Sequence, residues 1–345
     1  MLHTPCDITF DEVVTAYFDC RKNKRNSESA IEFEIDLENN LQSLYTDLRS
    51  GTYAIGESVC FVVKKPRVRE IWAAGFRDRV VHHLIYNRIG PKFNRSFLAD
   101  SCACIPGRGT MYGAQRLEKH IRSYTNNWQH DYFYLKCDLS NFFVSIDKSV
   151  LWSLLEPKVS IEWLSDLVYM VLHHDPRTNV VFNSSEEDFE KVPDRKKLLL
   201  AKAGFGLPIG NLTSQFFANV LMDYFDKFVK HVLKVEKYIR YVDDFVILGK
   251  STKELKNIEL QVSDFLQKMN LELNPRKTIL QPIKRGVSFV GQTIYPFRRV
   301  PLNKTVNKIF SQIDDCLSHD STIAFLEQSE KHYNLVNRYK RKISQ

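Results

Sequence analysis

The chain lacks any apolar run approaching the ~20 residues that a membrane-spanning helix needs. Its first residues, MLHTPCDITFDEV, place acids early and lack the basic-then-apolar order of a secretion signal. Cysteine is sparse and scattered, at positions 6, 20, 60, 102, 104, 137 and 316. An odd count without a Cys-x-x-Cys pair argues against a disulfide framework and against a zinc site. A reduced, cytoplasmic protein without a membrane role is the expectation. Internal repeats and low-complexity tracts are also missing. That leaves a globular chain whose 345 residues allow two or three domains.

Positive charge is what the chain has in excess. Its formal net charge is +8 and its pI about 9.0, which makes polyanions the first partners to consider. The first 50 residues read as helices ending at Gly51, with RKNKRNSES (21–29) as a polar connection. Segments 59–63 and 69–73 read as strands around the basic turn KKPR. Apolar residues at Val80, Val81, Leu84, Ile85 and Ile89 predict a helix that ends at Gly90-Pro91. His82 and His83 on that helix point to different faces, which suits structural or surface roles better than a metal pair.

Segments 134–139 and 238–248 have strand composition, and Asp147 is placed to cap a helix over SVLWSLLE. Residues 174–204 read as a polar loop or small insertion. A long helix follows FGLPIGN, another covers TKELKNIELQVSDFLQKMN, and GVSFVGQTIYPFRRVPL reads as a hairpin. From residue 298 the chain reads as helical and basic, with nine Lys/Arg against five Asp/Glu. The expected class is α+β, with helices on one face of a largely antiparallel sheet.

Within YIRYVDDFVILGK, two aspartates interrupt a strand-like run. Ionised carboxylates resist burial without compensation, and Asp-Asp is a poor hairpin turn on conformational grounds, since such turns favour Asn-Gly or Asp-Gly. The pair Asp243-Asp244, set at the turn, therefore reads as chosen for its charge. If the strand bearing Asp138 lies beside this hairpin, three acids meet at one sheet end and need cations to offset their repulsion. Mg²⁺, which prefers oxygen ligands, suits that need, and two such ions support in-line phosphoryl displacement. The plainer alternative is a solvated turn and a strand-end aspartate.

With YVDD at 241–244 and CDLSNFF at 137–143, the chain resembles the reverse transcriptases from about residue 50 to 297. The resemblance implies a right-hand polymerase fold with fingers, a palm built on an antiparallel sheet, and a short helical thumb. It implies an N-terminal helical extension (1–50), fingers (51–135), palm (136–173 and 205–297) around the 174–204 insertion, and a basic thumb (298–345). Asp138, Asp243 and Asp244 would hold two Mg²⁺ ions, with the Leu139 carbonyl as a further ligand. Lys277 would protonate the leaving pyrophosphate, although it also reads as a plain surface lysine. Arg69 and then Lys65 would hold the dNTP triphosphate. Phe143 would exclude a ribonucleotide 2′-hydroxyl, or else serve the core. Phe289, Val290 and Gly291 would steady the primer.

The stretch PIGNLTSQ (208–215) narrows the resemblance, because most reverse transcriptases have Pro-Gln-Gly where this chain has Pro208-Ile209-Gly210. It is similar to the reverse transcriptases of diversity-generating retroelements, with Ile209, Gly210 and Gln215 as nucleotide-site positions. That implies copying of a template-repeat RNA into cDNA with misincorporation opposite adenine. It also implies the template RNA, the primer–template duplex and a small basic oligomeric accessory protein as partners. A faithful retron- or group II intron-like enzyme and a catalytically idle RNA-binding scaffold are the rivals.

Overall fold

The computed structural model describes residues 7–22, 27–65, 67–311, 313, 319–327 and 333–344. Residues 23–26 of the expected polar connection lie outside the described residues. In chain order the strands are β1 (Ser58–Val63), β2 (Arg69–Ala74), β3 (Phe133–Asp138), β4 (Val180–Phe182), β5 (Tyr238–Tyr241), β6 (Asp244–Gly249), β7 (Ile279–Pro282), β8 (Val287–Phe289), β9 (Gln292–Tyr295) and β10 (Arg298–Pro301). None of the described helices is long and apolar enough to cross a membrane. The chain divides into two compact units, each discontinuous: residues 1–97, 141–222 and 269–271, and residues 98–140, 223–268 and 272–345.

The first unit is built on helices Phe10–Arg21, Leu37–Ser50 and Phe76–Ser96, which bury Val13, Ala16, Tyr17, Leu44, Leu48, Val80 and Val81. Gly51 closes the Leu37–Ser50 helix in the left-handed conformation, at φ 73°, as its position in the sequence led one to expect. Pro91 does not end the Phe76–Ser96 helix. Proline forfeits its own N–H bond and its ring crowds the carbonyl four residues earlier, yet the turn beyond it carries Phe93 and Phe97, both buried. Gly90 leaves room there for the Tyr86 ring, which a Cβ would meet at 2.8 Å.

The sheet of this unit runs β2-β1-β4, with β1 antiparallel to β2 and parallel to β4. The basic connection lies between Val63 and Arg69, which pair across β1 and β2. Residues 174–204, read as a loop or insertion, thus supply a strand. They also supply Leu198, which packs with Cys60 and Trp72 while its N–H donates to the buried Glu70 carboxylate at 2.8 Å.

The second unit carries an antiparallel sheet ordered β5-β6-β3-β7 and a meander β8-β9-β10. Helices cover both faces of the larger sheet, not one. Leu117 and Ile121 of helix Thr110–Tyr124 cluster with Tyr134, Val246 and Leu248. Phe245, whose side chain alternates to the opposite face, meets Phe225 at 5.1 Å between ring centroids. Residues 298–301, expected to begin a helical segment, form β10 against β9, and the Asn303–Ser311 helix starts after them.

Asp147 caps helix Lys148–Leu155 by accepting from the N–H groups of Ser149 and Val150, and Asn270 Nδ2 donates to its other oxygen at 2.9 Å. Replacing an N-cap acid by alanine costs about 1 kcal/mol. Asp147→Ala should therefore lower the urea midpoint by the equivalent of about 1 kcal/mol, whereas an unchanged midpoint would contradict the cap.

Candidate active site

β3 and β6 pair in a register that sets Asp138 opposite Asp244. β5 and β6 close with Tyr241 opposite Asp244, so the two-residue turn is Val242-Asp243 and Asp244 already belongs to the strand. The aspartate pair therefore straddles the turn's end instead of forming its centre. Val242 has φ 57°, where hairpins with one left-handed central residue normally place glycine. Holding a β-branched residue there costs on the order of 1–3 kcal/mol.

The end of β3 is pinned from two sides. Leu139 N–H donates to the Asp243 carbonyl at 3.2 Å, and Asn274 N–H donates to the Asp138 carbonyl at 2.8 Å. The 274–277 turn carries Lys277, whose Nζ lies 2.5 Å from Asp138 Oδ1. Lys136 plays the matching part for Asp244, with Nζ 2.8 Å from Oδ2 and 2.8 Å from the Ser288 carbonyl. Lys136 stands two residues before Asp138 and so shares its face of β3. That spacing is the sequence signal by which it could have been identified.

Among the described residues, no group of three or more His, Cys, Asp and Glu side chains is gathered closely enough to hold a metal ion. Asp138 and Asp244 are instead each drawn to a lysine. The donor set nonetheless suits a hard cation. All three side chains offer oxygen, and Asp244 Oδ1 is buried with no hydrogen-bond partner. Burial pushes the Asp244 carboxyl up to about 6, with Lys136 opposing and Asp243 and Asp138 adding to the rise.

The remaining residues proposed for the second unit lie on the meander. Phe289 is a core residue, 1% exposed, with Lys136 Nζ 5.9 Å from its ring centroid. Val290 and Gly291 form the turn to β9, both with positive φ (42° and 84°). The Gly291 carbonyl accepts from Leu302 N–H at 2.9 Å and Thr305 Oγ1 at 3.2 Å.

The first unit brings together Phe143, Ile209, Gly210 and β2. Leu207 N–H donates to the Phe143 carbonyl at 2.8 Å, and Trp72 N–H donates to the Ile209 carbonyl at 2.7 Å. Asn211 Oδ1 accepts from Ala74 N–H at 3.0 Å. The Pro208–Asn211 stretch thereby satisfies the outer edge of β2. Gly210, at φ 135°, passes so close that a Cβ would lie 3.0 Å from Ile71 Cγ2 and from the Trp72 carbonyl oxygen. Phe142, not Phe143, is the fully buried ring of that pair. Arg69 begins β2 and is exposed, as is Lys65 in the connection before it. Lys64 is engaged by Asp188 at 2.9 Å. Gln215 is exposed on helix Leu212–Lys227.

A family model described as "Reverse transcriptase (RNA-dependent DNA polymerase)" matches residues 63–294. No curated protein matches by sequence. Among solved structures, the telomerase of Candida albicans in complex with a fragment of telomeric RNA is 13% identical, at a TM-score of 0.51, over 84% of this chain and 54% of that one. The apo telomerase of Candida tropicalis is 13% identical, at a TM-score of 0.51, over 79% and 51%. This chain thus spans about half the length of those proteins. At such identity the likeness concerns fold, and the fold is that of a right-hand polymerase.

The raised Asp244 carboxyl has a consequence for stability. As pH climbs from about 4 to about 6, the unfolded chain releases this proton before the folded one does, so folding weakens. Relative to Asp244→Asn, the unsubstituted chain should lose up to about 3 kcal/mol of stability between pH 4 and pH 7. Parallel pH profiles in urea melts of the two proteins would rule this out.

Proposed function

The chain belongs to the reverse transcriptase family, and on that premise we propose that it is an RNA-directed DNA polymerase of a diversity-generating retroelement. It copies a template-repeat RNA into cDNA and misincorporates opposite adenine. The observation that carries the polymerase reading is the β3–β6 register, which sets Asp138 opposite Asp244 beside the Asp243 turn. In this reading Asp138, Asp243 and Asp244 hold two Mg²⁺ ions together with the Leu139 carbonyl. When bound, the ions stabilise the attacking and leaving oxygens of an in-line phosphoryl displacement.

The chain's own residues bind, orient and move the proton. Lys277, already beside Asp138, donates a proton toward the leaving pyrophosphate, as a positioned general acid does. Exposed Arg69 and Lys65 take the triphosphate of the incoming dNTP. That Lys64 is engaged by Asp188 supports this choice among the basic residues. The half-buried Phe143 ring excludes a 2′-hydroxyl. Since Phe289 is core, the primer end rests on the Val290-Gly291 turn, with Phe289 holding that turn from beneath.

Residues 51–135 serve as fingers, 136–173 and 205–297 as palm, and 298–345 as a thumb that follows the duplex by its wide minor groove. The residues before 51 form the helical extension, and 174–204 the insertion. The formal charge of +8 favours RNA contact through phosphate neutralisation. The RNA-bound state of one telomerase neighbour supports an RNA partner as well. A small basic accessory protein completes the assembly.

The mutagenic reading rests on Ile209 and its neighbours Gly210 and Gln215. The Ile209 backbone is committed to β2, and its side chain offers no hydrogen bond. A polar contact formed only with correct geometry discriminates strongly, because a mispair leaves it unsatisfied. A shape contact discriminates by only about 1–3 kcal/mol.

Asp243→Asn should abolish primer extension with Mg²⁺ while leaving folding and RNA binding nearly intact, since several kcal/mol of transition-state stabilisation are lost. Extension near the unsubstituted rate would sink the assignment. Ile209→Gln should lower misincorporation opposite template adenine more than opposite other bases, keeping correct incorporation within about tenfold. Sequenced cDNA from an adenine-containing template decides it: an unchanged adenine error frequency in an active variant moves the mutagenic determinant elsewhere.

A further inference from the structure

We propose that Arg240 is a positioning residue that holds the Val242-Asp243 turn in its left-handed form and so presents Asp243. This rests on the polymerase reading of the aspartates. Arg240 stands on β5, two residues before Val242, and its side chain is 1% exposed. A buried guanidinium needs acceptors for its fork of N–H donors, and here they come from three different segments. Nε and Nη2 each lie 2.7 Å from an oxygen of Asp226, itself 0% exposed, on helix Leu212–Lys227. Nη2 also donates to Ser101 Oγ at 2.8 Å, and Nη1 donates to the Val242 carbonyl at 3.0 Å.

The frame around the guanidinium is itself tied down. Tyr238 hydroxyl donates to Asp226 Oδ1 at 2.6 Å. The Arg240 backbone pairs with the 100–102 segment, its N–H donating to the Asp100 carbonyl and its carbonyl accepting from Cys102 N–H, both at 2.9 Å. Nη1 therefore projects from a fixed point. The carbonyl it meets belongs to the peptide joining Val242 to Asp243, so that peptide plane cannot rotate freely. The other carbonyl of the turn, that of Asp243, accepts from Leu139 N–H.

Valine at φ 57° would relax toward the β region if released. Arg240 opposes that relaxation. Lysine at 240 would keep a positive charge beside Asp226 but, as a point charge without a planar fork, could not serve Asp226, Ser101 and the Val242 carbonyl together. Glycine at 242 adopts positive φ without steric cost, so the turn would then keep its form without the arginine.

The test uses the full chain and two readouts, Mn²⁺ affinity by electron paramagnetic resonance and single-turnover dNTP incorporation. Arg240→Lys should weaken Mn²⁺ binding at least fivefold and slow incorporation at least tenfold at saturating dNTP, with KM for dNTP within threefold. Adding Val242→Gly should restore most of both losses, whereas thermal stability should recover only in part, because the buried Arg240–Asp226 pair stays broken. Asp226→Asn, which preserves the shape of the pair, should move both readouts the same way by a smaller factor, and it decides the matter if Arg240→Lys does not fold. Unchanged Mn²⁺ affinity and rate in a folded variant, or losses that follow the melting temperature and are not rescued by Val242→Gly, would reduce Arg240 to a core ion pair. A parent chain that binds Mn²⁺ yet extends no primer overturns the polymerase reading alone, and Mn²⁺ affinity then judges Arg240.

Discussion

Antiparallel pairing of β3 with β6 sets Asp138 opposite Asp244, and ionised carboxylates in that relation repel. The architecture at that sheet end answers the repulsion. Lys277 arrives on a turn whose Asn274 N–H is bonded to the Asp138 carbonyl. Lys136 comes from β3 itself and also reaches the Ser288 carbonyl of β8. Each ammonium thus compensates one carboxylate and ties it to a neighbouring segment. A divalent cation bound there, as proposed above, would have to compete with lysines already in place and exchange one compensating charge for another.

The first unit solves a different problem, that of an open sheet edge. β2 would expose N–H groups at Trp72 and Ala74. The Ile209 carbonyl and the Asn211 amide oxygen accept from them. Gly210 is required between the two because a side chain would strike β2. Pro208-Ile209-Gly210-Asn211 is therefore a structural clasp as well as a candidate specificity element. A substitution at Ile209 changes a side chain whose backbone is already committed.

Local chemistry was legible where one short signal decides a structure. Gly51 at a helix end, Asp147 before a helix, the strands flanking KKPR and the hairpin around VDD all follow from such signals. Long-range partners were not legible. Nothing near residue 180 announces a parallel pairing with β1, because three residues, VVF, carry too little pattern. Pro91 suggested a helix end, and only the tertiary anchoring of Phe93 and Phe97 overrides it. The three aspartates stood out by type and by the resemblance that YVDD and CDLSNFF carry, and Lys136 by its place two residues before Asp138, whereas which lysine faces which aspartate depends on strand register. Arg240 offered one usable hint, a lone charge inside an apolar strand, but Asp226 lies 14 residues away on a helix and could not be paired with it from sequence.

The interleaving of the two units bears on how the chain is made. Residues 1–97 cannot complete their unit until 141–222 have been synthesised, and 269–271 belong to it as well. The β1–β4 pairing alone waits for Phe182, more than a hundred residues after Cys60. β3 in turn waits for β6 and then β7, which ends at Pro282. Contacts of such sequence separation form slowly because loop closure precedes their reward. During translation the apolar strands FYLKC and SVCFVV therefore emerge well before most of their partners, a window in which an unpaired edge invites association with other chains. Truncation between the units is not a neutral operation either, since no single cut separates one unit from the other with both left whole.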